Sequence, residues 1–259
     1  MKTNWEYKGD FNHLSNTAAN KKGSIHDDEP AQKLGFKGAF VPGSVVGAYA
    51  MTAVINRFGK DWFNNGWFDF NFVSPVYTND EVATTASEAE GDAIECNVFD
   101  RQERLCCIGR AGTGSDLPWL DDPGDESIFP NARLGTQFQE QNLTIEYPDV
   151  EPLLDAACDS AGHWRDHIHP EHLMPIALRM CDFKLTPFEG VRPPGMWAQH
   201  ALFQREPLPY GDYRMTEYLA EKGASGRTHF MTFQFHLFDA GDREVAVGRH
   251  KCKFIREVQ

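Results

Sequence analysis

Two short stretches of this 259-residue chain place a histidine close to carboxylates. In the first, His26 precedes Asp27 and Asp28, and in the second, Asp159 stands four residues before His163. An imidazole and a carboxylate that share one water can take up and return a proton, which is general acid–base catalysis. The first pair of aspartates also suits the first turn of a helix, and the second stretch also suits helix capping and a polar surface. Both interpretations stay open from the residues alone.

Metal binding is not favoured by the sequence. Histidines cluster at positions 163, 167, 169 and 172, and the first two are four residues apart, as zinc ligands on one helix face can be. Pro170 would interrupt such a helix, and the chain contains no H-E-x-x-H pattern. The six cysteines show no C-x-x-C spacing, which argues against a zinc framework or disulfides and favours a reducing cytoplasm. We therefore predict neither a metal nor another cofactor.

Composition limits the classes of partner. The formal net charge of −13 argues against binding nucleic acid through its phosphates, although a local basic patch for an anionic ligand remains compatible with it. No run is apolar for long enough to cross a bilayer, and the first twenty residues are too polar for a signal peptide. With 41% hydrophobic and 24% charged residues, the chain is typical of a soluble globular protein of one large or two ordinary domains.

The elements that must position the first histidine follow it directly. A short helix is predicted from Asp27 to a turn at Gly35. The segment Phe40-Val41-Pro42-Gly43-Ser44 then leads into a run from Val45 to Ile55 that is apolar on all sides, which indicates a helix buried within a sheet. Alternation of apolar and polar residues from Trp67 predicts the first strand after that helix, and three further strand candidates end near Arg110.

The two halves of the chain share three spacings. Asp100 precedes Gly109 by nine residues, and Asp239 precedes Gly248 by the same number. The other matches are Pro75 and Asp80 with Pro207 and Asp212, and, 32 residues before each proline, Gly43 with Pro175. Coincidence among turn residues is the alternative, but an internal duplication explains all three. We predict units at 1–112 and 136–259, a linker at 113–135 that lies outside both sheets, and a second central helix from about Met174 to Asp182.

The order of histidine, short helix, glycine turn, buried helix and strands resembles the hot-dog fold of MaoC-like dehydratases and (R)-specific enoyl-CoA hydratases. The resemblance implies an α+β double hot-dog, in which two antiparallel sheets each wrap around a central helix. It also implies a hydro-lyase that acts on an enoyl or 3-hydroxyacyl thioester of coenzyme A or acyl carrier protein, without a cofactor. Hot-dog units usually pair their sheets, so a homodimer of such chains is also left open.

Family members carry an Asp and a His that share one water, and a glycine amide at the start of the central helix receives the thioester oxygen. Carried over to the first unit, this pattern implies that His26 belongs to the site and that Gly43, with Val41 and Ser44 beside it, binds the substrate. The acidic position five residues before the histidine is Lys21, so the first unit lacks the family's carboxylate.

In the second unit the acidic position falls on Asp159, and His163 follows one residue closer than in the family pattern. The resemblance therefore implies that Asp159 and His163 are the acid–base pair and that His26 shares their site. Pro175, at the start of the second helix, has no N–H to donate. A thioesterase-like activity, or a non-catalytic protein that binds an acyl group, remains an alternative, because one fold supports several functions.

Overall fold

A computed structural model describes residues 5–19, 24–114, 125, 127–130, 132–160, 162–181, 195–226 and 228–255. The first unit contains β1 (Glu6–Lys8), β2 (Asn12–His13), α1 (Asp28–Lys33), α2 (Gly43–Phe58), α3 (Trp62–Asn65), β3 (Gly66–Phe72), β4 (Glu81–Glu88), β5 (Ala93–Asp100) and β6 (Leu105–Thr113). The second contains β7 (Gln141–Ile145), α4 (Tyr147–Ala156), α5 (Leu173–Met180), β8 (Met196–Gln204), β9 (Gly211–Ser225), β10 (Thr228–Asp239) and β11 (Glu244–Ile255). No helix within these ranges has both the length and the apolar character needed to cross a membrane.

The strands of the described ranges form one antiparallel sheet of eleven strands, in which the two units have the same order. The first unit runs β1-β4-β5-β6-β3, with β2 paired to β4, and the second runs β7-β9-β10-β11-β8. The units meet where β3 pairs with β8, from Trp67 opposite Phe203 to Asn71 opposite Gln199. Across this junction the Gln199 amide donates to Asp69 Oδ1 at 2.7 Å. The predicted edge-to-edge joining of two units is therefore confirmed.

Helix α2 begins at Gly43, as predicted, but extends to Phe58 rather than ending at Ile55. It ends there because Gly59 takes φ +56°, which glycine adopts without strain. Eleven of its sixteen residues are buried, in agreement with its apolar character on all sides.

The second central helix, α5, is only eight residues long and runs Leu173–Met180 instead of the expected Met174–Asp182. A 3₁₀ turn at Pro170–His172 leads directly into it, so it starts one residue early. Pro175 is its third residue and is tolerated there, because amides in the first turn have no partner within the helix.

The duplication is visible in two hairpin turns, β5–β6 and β10–β11. The Asp100 carboxylate accepts the backbone N–H of Arg104 at 2.9 Å and its guanidinium Nε at 2.8 Å. The Asp239 carboxylate accepts the same two groups of Arg243 at 3.0 and 2.9 Å. Identical turn chemistry at the positions that the nine-residue spacing singled out supports the internal repeat.

The described part of the linker packs against the second unit. Lys222 on β9 is buried and donates from Nζ to the carbonyls of Phe129 at 3.3 Å and Ala132 at 2.7 Å. The Phe129 ring is buried against Phe254 and completes an apolar cluster on the sheet. Between 125 and 135 the described residues form no strand. The domain boundaries stay a prediction.

We expect Asp100→Ala to lower the free energy of unfolding by about 2 kcal/mol, because it removes charge-assisted hydrogen bonds from a carboxylate that is 2% exposed. Asp239→Ala should cost less, since Asp239 and Arg243 are more exposed. Although burial by itself raises the pKa of Asp100, the Arg104 backbone and guanidinium lower it below its ordinary value. This contribution is therefore present above the ordinary Asp range and lost as the pH falls through the lowered pKa. Urea unfolding at neutral and acidic pH measures the free energy of unfolding of each variant. Equal losses for Asp100→Ala and Asp239→Ala would contradict this prediction.

Candidate functional site

A cavity of about 650 Å³ lies between the two units. The first unit contributes the loop around His26 and the start of α2, and the second contributes α4, α5 and the ends of β8 and β11. Most of the side chains that line it are apolar, which suits an acyl chain better than a polar metabolite. Because its walls come from both units, the cavity depends on the β3–β8 junction.

His26 lines this cavity, as the resemblance implied. Its ring Nδ1 lies 2.9 Å from the carbonyl of Phe40, and the backbone N–H of Phe40 donates in turn to the carbonyl of Ile25. Because a carbonyl can only accept, Nδ1 carries the proton of the neutral ring and Nε2 carries the lone pair. The hydrogen bond therefore fixes both the orientation and the tautomer that a general base requires.

The two aspartates after His26 have structural roles. Asp27 is the N-cap residue of α1, and Asp28 Oδ1 accepts the backbone N–H of Ala39 at 2.8 Å. Neither is among the described residues that line the cavity. Asp28 thereby holds the loop that carries the Phe40 carbonyl beside His26.

The start of α2 also faces the cavity, with Val41, Gly43 and Ser44 on its wall. The first amides of a helix have no partner within it and carry the positive end of its dipole, so they can receive an anionic oxygen. A Cβ at Gly43 would lie 3.1 Å from the Phe72 ring and 3.3 Å from that of Trp197. The glycine therefore keeps the helix end accessible between two aromatic rings.

Basic and titratable groups of the second unit border the same cavity. Arg179 is exposed and Lys253 is half-buried. Burial lowers the pKa of His172 to about 4, which the charge of Asp149 opposes only in part. His172 is therefore neutral near pH 7, and the positive charge on this wall comes from Arg179 and Lys253.

Asp159 and His163 lie outside the set of described residues that line this cavity. Asp159 is buried and its Oδ2 accepts the indole N–H of Trp164 at 2.8 Å, while the His163 side chain is exposed. Cys158 at φ +55° and Gly162 at φ +72° turn the chain on either side of Asp159, and Trp164 then lies within reach of the carboxylate. The catalytic role of the pair stays a prediction.

A buried Glu–His contact was not predicted from the sequence. Glu171 Oε2 lies 2.7 Å from His200 Nδ1, and both side chains are fully buried. The His200 ring packs edge to face against Phe72 and Trp197, so it lies behind the cavity wall. A Cβ at Gly47 of α2 would lie 2.1 Å from Glu171 Oε1, so this glycine makes room for the carboxyl group. No spacing signals the pair, because its members lie on a 3₁₀ turn and a strand 29 residues apart.

The Glu171–His200 pair is neutral. Glu171 Oε1 and His200 Nε2 have no hydrogen-bond partner among the described residues. Ionising either side chain would therefore bury a charged group that has one polar atom without a hydrogen-bond partner among the described residues. In agreement, burial raises the pKa of Glu171 well above its ordinary value. Burial is also the main reason why the pKa of His200 lies well below its ordinary value, and the charge of the neighbouring His250 lowers that pKa further. The protonated carboxyl group donates to Nδ1 of the neutral imidazole.

No protein-family model and no curated protein matches the sequence, but solved structures resemble the fold. A protein from Chloroflexus aurantiacus described as a MaoC domain protein dehydratase is 12% identical, with a TM-score of 0.69 over 100% of this chain and 97% of that one. A Mycobacterium tuberculosis protein described as having a double hotdog fold is 14% identical, with a TM-score of 0.63 over 98% and 97%. The 12:0-ACP thioesterase from Umbellularia californica is 11% identical, with a TM-score of 0.56 over 96% and 94%. These likenesses confirm the predicted double hot-dog fold and its resemblance to MaoC-like proteins; they do not identify the reaction.

We expect Glu171→Gln to retain the stability of the native protein at neutral pH, because the amide can donate to His200 Nδ1 as the protonated carboxyl group does. Glu171→Ala should lose about 3 kcal/mol through a cavity and an unpaired ring nitrogen. A raised pKa means that the wild type loses stability as the pH rises above the ordinary Glu value, whereas the Gln variant does not. Chemical unfolding at several pH values measures both effects. Equal losses in the two variants at neutral pH would show that Glu171 is ionised.

Proposed function

We propose that this protein is a hydro-lyase that adds water to, or removes it from, an enoyl or 3-hydroxyacyl thioester. The observation that carries the proposal is the meeting of His26, held in one tautomer, with the start of α2 in a single apolar cavity. The double hot-dog fold, which is shared with a protein described as a MaoC domain protein dehydratase, supports the same reaction.

A single imidazole can carry out both proton transfers of hydration. In this mechanism His26 Nε2 takes a proton from water as the oxygen bonds to the β-carbon of the enoyl group. The electron pair of the double bond moves to the thioester oxygen, where the amides of Gly43 and Ser44 stabilise the enolate charge. The protonated imidazole then returns its proton to the α-carbon, and dehydration follows the same steps in reverse. The Phe40 carbonyl stabilises the imidazolium through Nδ1–H.

The carrier of the acyl group is proposed from charge. Coenzyme A and the phosphopantetheine arm of acyl carrier protein both bear phosphate beyond the thioester. Arg179 and Lys253 border the cavity, although the chain as a whole carries a net charge of −13. Local cations of this kind bind a phosphate group that the overall charge would repel.

A second candidate function rests on a specific observation. Among the described residues that line the cavity there is no Asp or Glu, so these residues alone do not form the Asp–His pair of the resembling family. This favours a protein that binds an acyl thioester without turning it over, or a thioesterase-like reaction such as that named for one solved structure of this fold.

We expect His26→Ala to lower kcat on crotonyl-CoA by about 10²- to 10⁴-fold, because it removes the only acid–base group of this mechanism. Loss of the enoyl thioester absorbance measures turnover, and thiol release measured in parallel detects a thioesterase. His13→Ala, an exposed histidine, is the matched control. If Asp159→Asn or His163→Ala abolishes turnover and His26→Ala does not, the sequence-based pair is the working one. If no enoyl thioester binds, the acyl-thioester proposal fails.

A pair of substitutions at Gly43 isolates its amide. Gly43→Pro removes the N–H, and Pro42 already has the ψ of 141° that a residue before proline requires. Gly43→Ala adds the same Cβ against Phe72 but keeps the N–H. We expect the proline variant to have a kcat about 10²- to 10³-fold below that of the alanine variant. Equal kcat values would show that this amide does not receive the thioester oxygen.

A further inference from the structure

Three side chains from separate elements of the second unit converge at a point that is not part of the cavity lining. Cys181 follows α5, Glu217 lies on β9 and His250 lies on β11, and all three are buried. Glu217 Oε1 is 2.7 Å from His250 Nε2, and Glu217 Oε2 is 3.2 Å from Cys181 Sγ. Cys181 Sγ is 3.8 Å from the same ring nitrogen, so one S, one N and one O atom surround a common point.

Tertiary structure brings these ligands together. Glu217 pairs with Phe235 of β10, while His250 pairs with Phe233 of the same strand, so the two side chains reach over β10 from opposite sides. The Phe233 ring stacks on His250 at 5.1 Å and fixes its plane. The Cys181 thiol, which follows α5, contacts both side chains.

The donor set fits zinc. Zn²⁺ binds Cys sulfur at about 2.3 Å and His nitrogen or carboxylate oxygen at about 2.0–2.2 Å, so a tetrahedral site separates its ligand atoms by roughly 3.3–3.6 Å. If Glu217 binds through Oε1, its separation of 2.7 Å from His250 Nε2 must widen by about 0.6 Å, and the 3.8 Å between Cys181 Sγ and Nε2 must shorten by about 0.2 Å, to reach that range. A thiolate and a carboxylate would also neutralise the two charges of the ion, which suits a fully buried site.

We propose that Cys181, Glu217 and His250 bind one zinc ion, with water as the fourth ligand, and that the ion ties α5 to the sheet. Binding through His250 Nε2 leaves the proton on Nδ1, which lies 3.9 Å from Cys252 Sγ, a weak acceptor. The eight-residue α5 is half the length of α2, so it has less apolar surface with which to anchor itself. A metal bond at its C-terminal end supplies the missing attachment.

The test uses the full-length protein, stripped with a chelator and then titrated with Zn²⁺ against a chromophoric competitor. We expect one equivalent to bind and to raise Tm. Co²⁺ in place of zinc should give a thiolate-to-cobalt charge-transfer band with the intense visible bands of a tetrahedral ion. Cys181→Ser should abolish the charge-transfer band and weaken zinc binding by more than the roughly 10- to 100-fold that loss of an outer hydrogen-bond partner costs. His250→Gln should weaken zinc binding in the same way.

Two cysteine variants serve as controls. Cys158→Ser removes an exposed thiol in another region and should change neither affinity nor spectrum. Cys252→Ala should keep the charge-transfer band, because this thiol contacts the ring nitrogen that is not a ligand. The proposal is overturned if the wild-type protein binds no tight equivalent of zinc, or if its cobalt spectrum lacks a thiolate band. Zinc affinity that is unchanged in Cys181→Ser, or lost in Cys158→Ser, also overturns it. The spectrum of the wild-type protein decides the question even if a variant fails to fold.

Discussion

The antiparallel pairing of β3 with β8 is the constraint on which the rest of this structure depends. It joins the sheets of the two units in one register, with Phe70 opposite His200, and the Asp69–Gln199 hydrogen bond lies across it. Phe72 at the end of β3 and Trp197 in β8 then meet around the start of α2. The cavity forms there, with walls from both units, so neither unit alone would contain the complete site.

The two units share one topology but bury different kinds of side chain. The helix of the first unit is long and largely apolar, whereas the second unit contains two buried Glu–His contacts, Glu171 with His200 and Glu217 with His250, each at 2.7 Å. The two histidines are directly opposite each other where β8 pairs with β11. Buried polar groups lower stability unless they are paired. Because each carboxyl group contacts an imidazole, both Glu–His contacts are tolerated in one core.

The candidate site is simpler than the family pattern that the chain resembles. A single imidazole, oriented by the Phe40 carbonyl, would complete the proton transfers of the proposed hydration, and that carbonyl would stabilise its developing charge. One fold supports several functions, because the reaction depends on the side chains around the cavity rather than on the fold.

The sequence determined the architecture because duplication and periodicity are local properties. The nine-residue spacing after Asp100 and Asp239, the apolar run after Gly43 and the alternation after Trp67 each predict an element without knowledge of its neighbours. The family resemblance also singled out His26, Val41, Gly43 and Ser44, which line one cavity because they belong to one continuous segment. The contact between the Asp159 carboxylate and the Trp164 indole depends on a turn that the sequence did not predict. Only the tertiary structure decided the Glu171–His200 pair and the Cys181–Glu217–His250 group, because their members come from separate elements whose contacts depend on the register of the sheet.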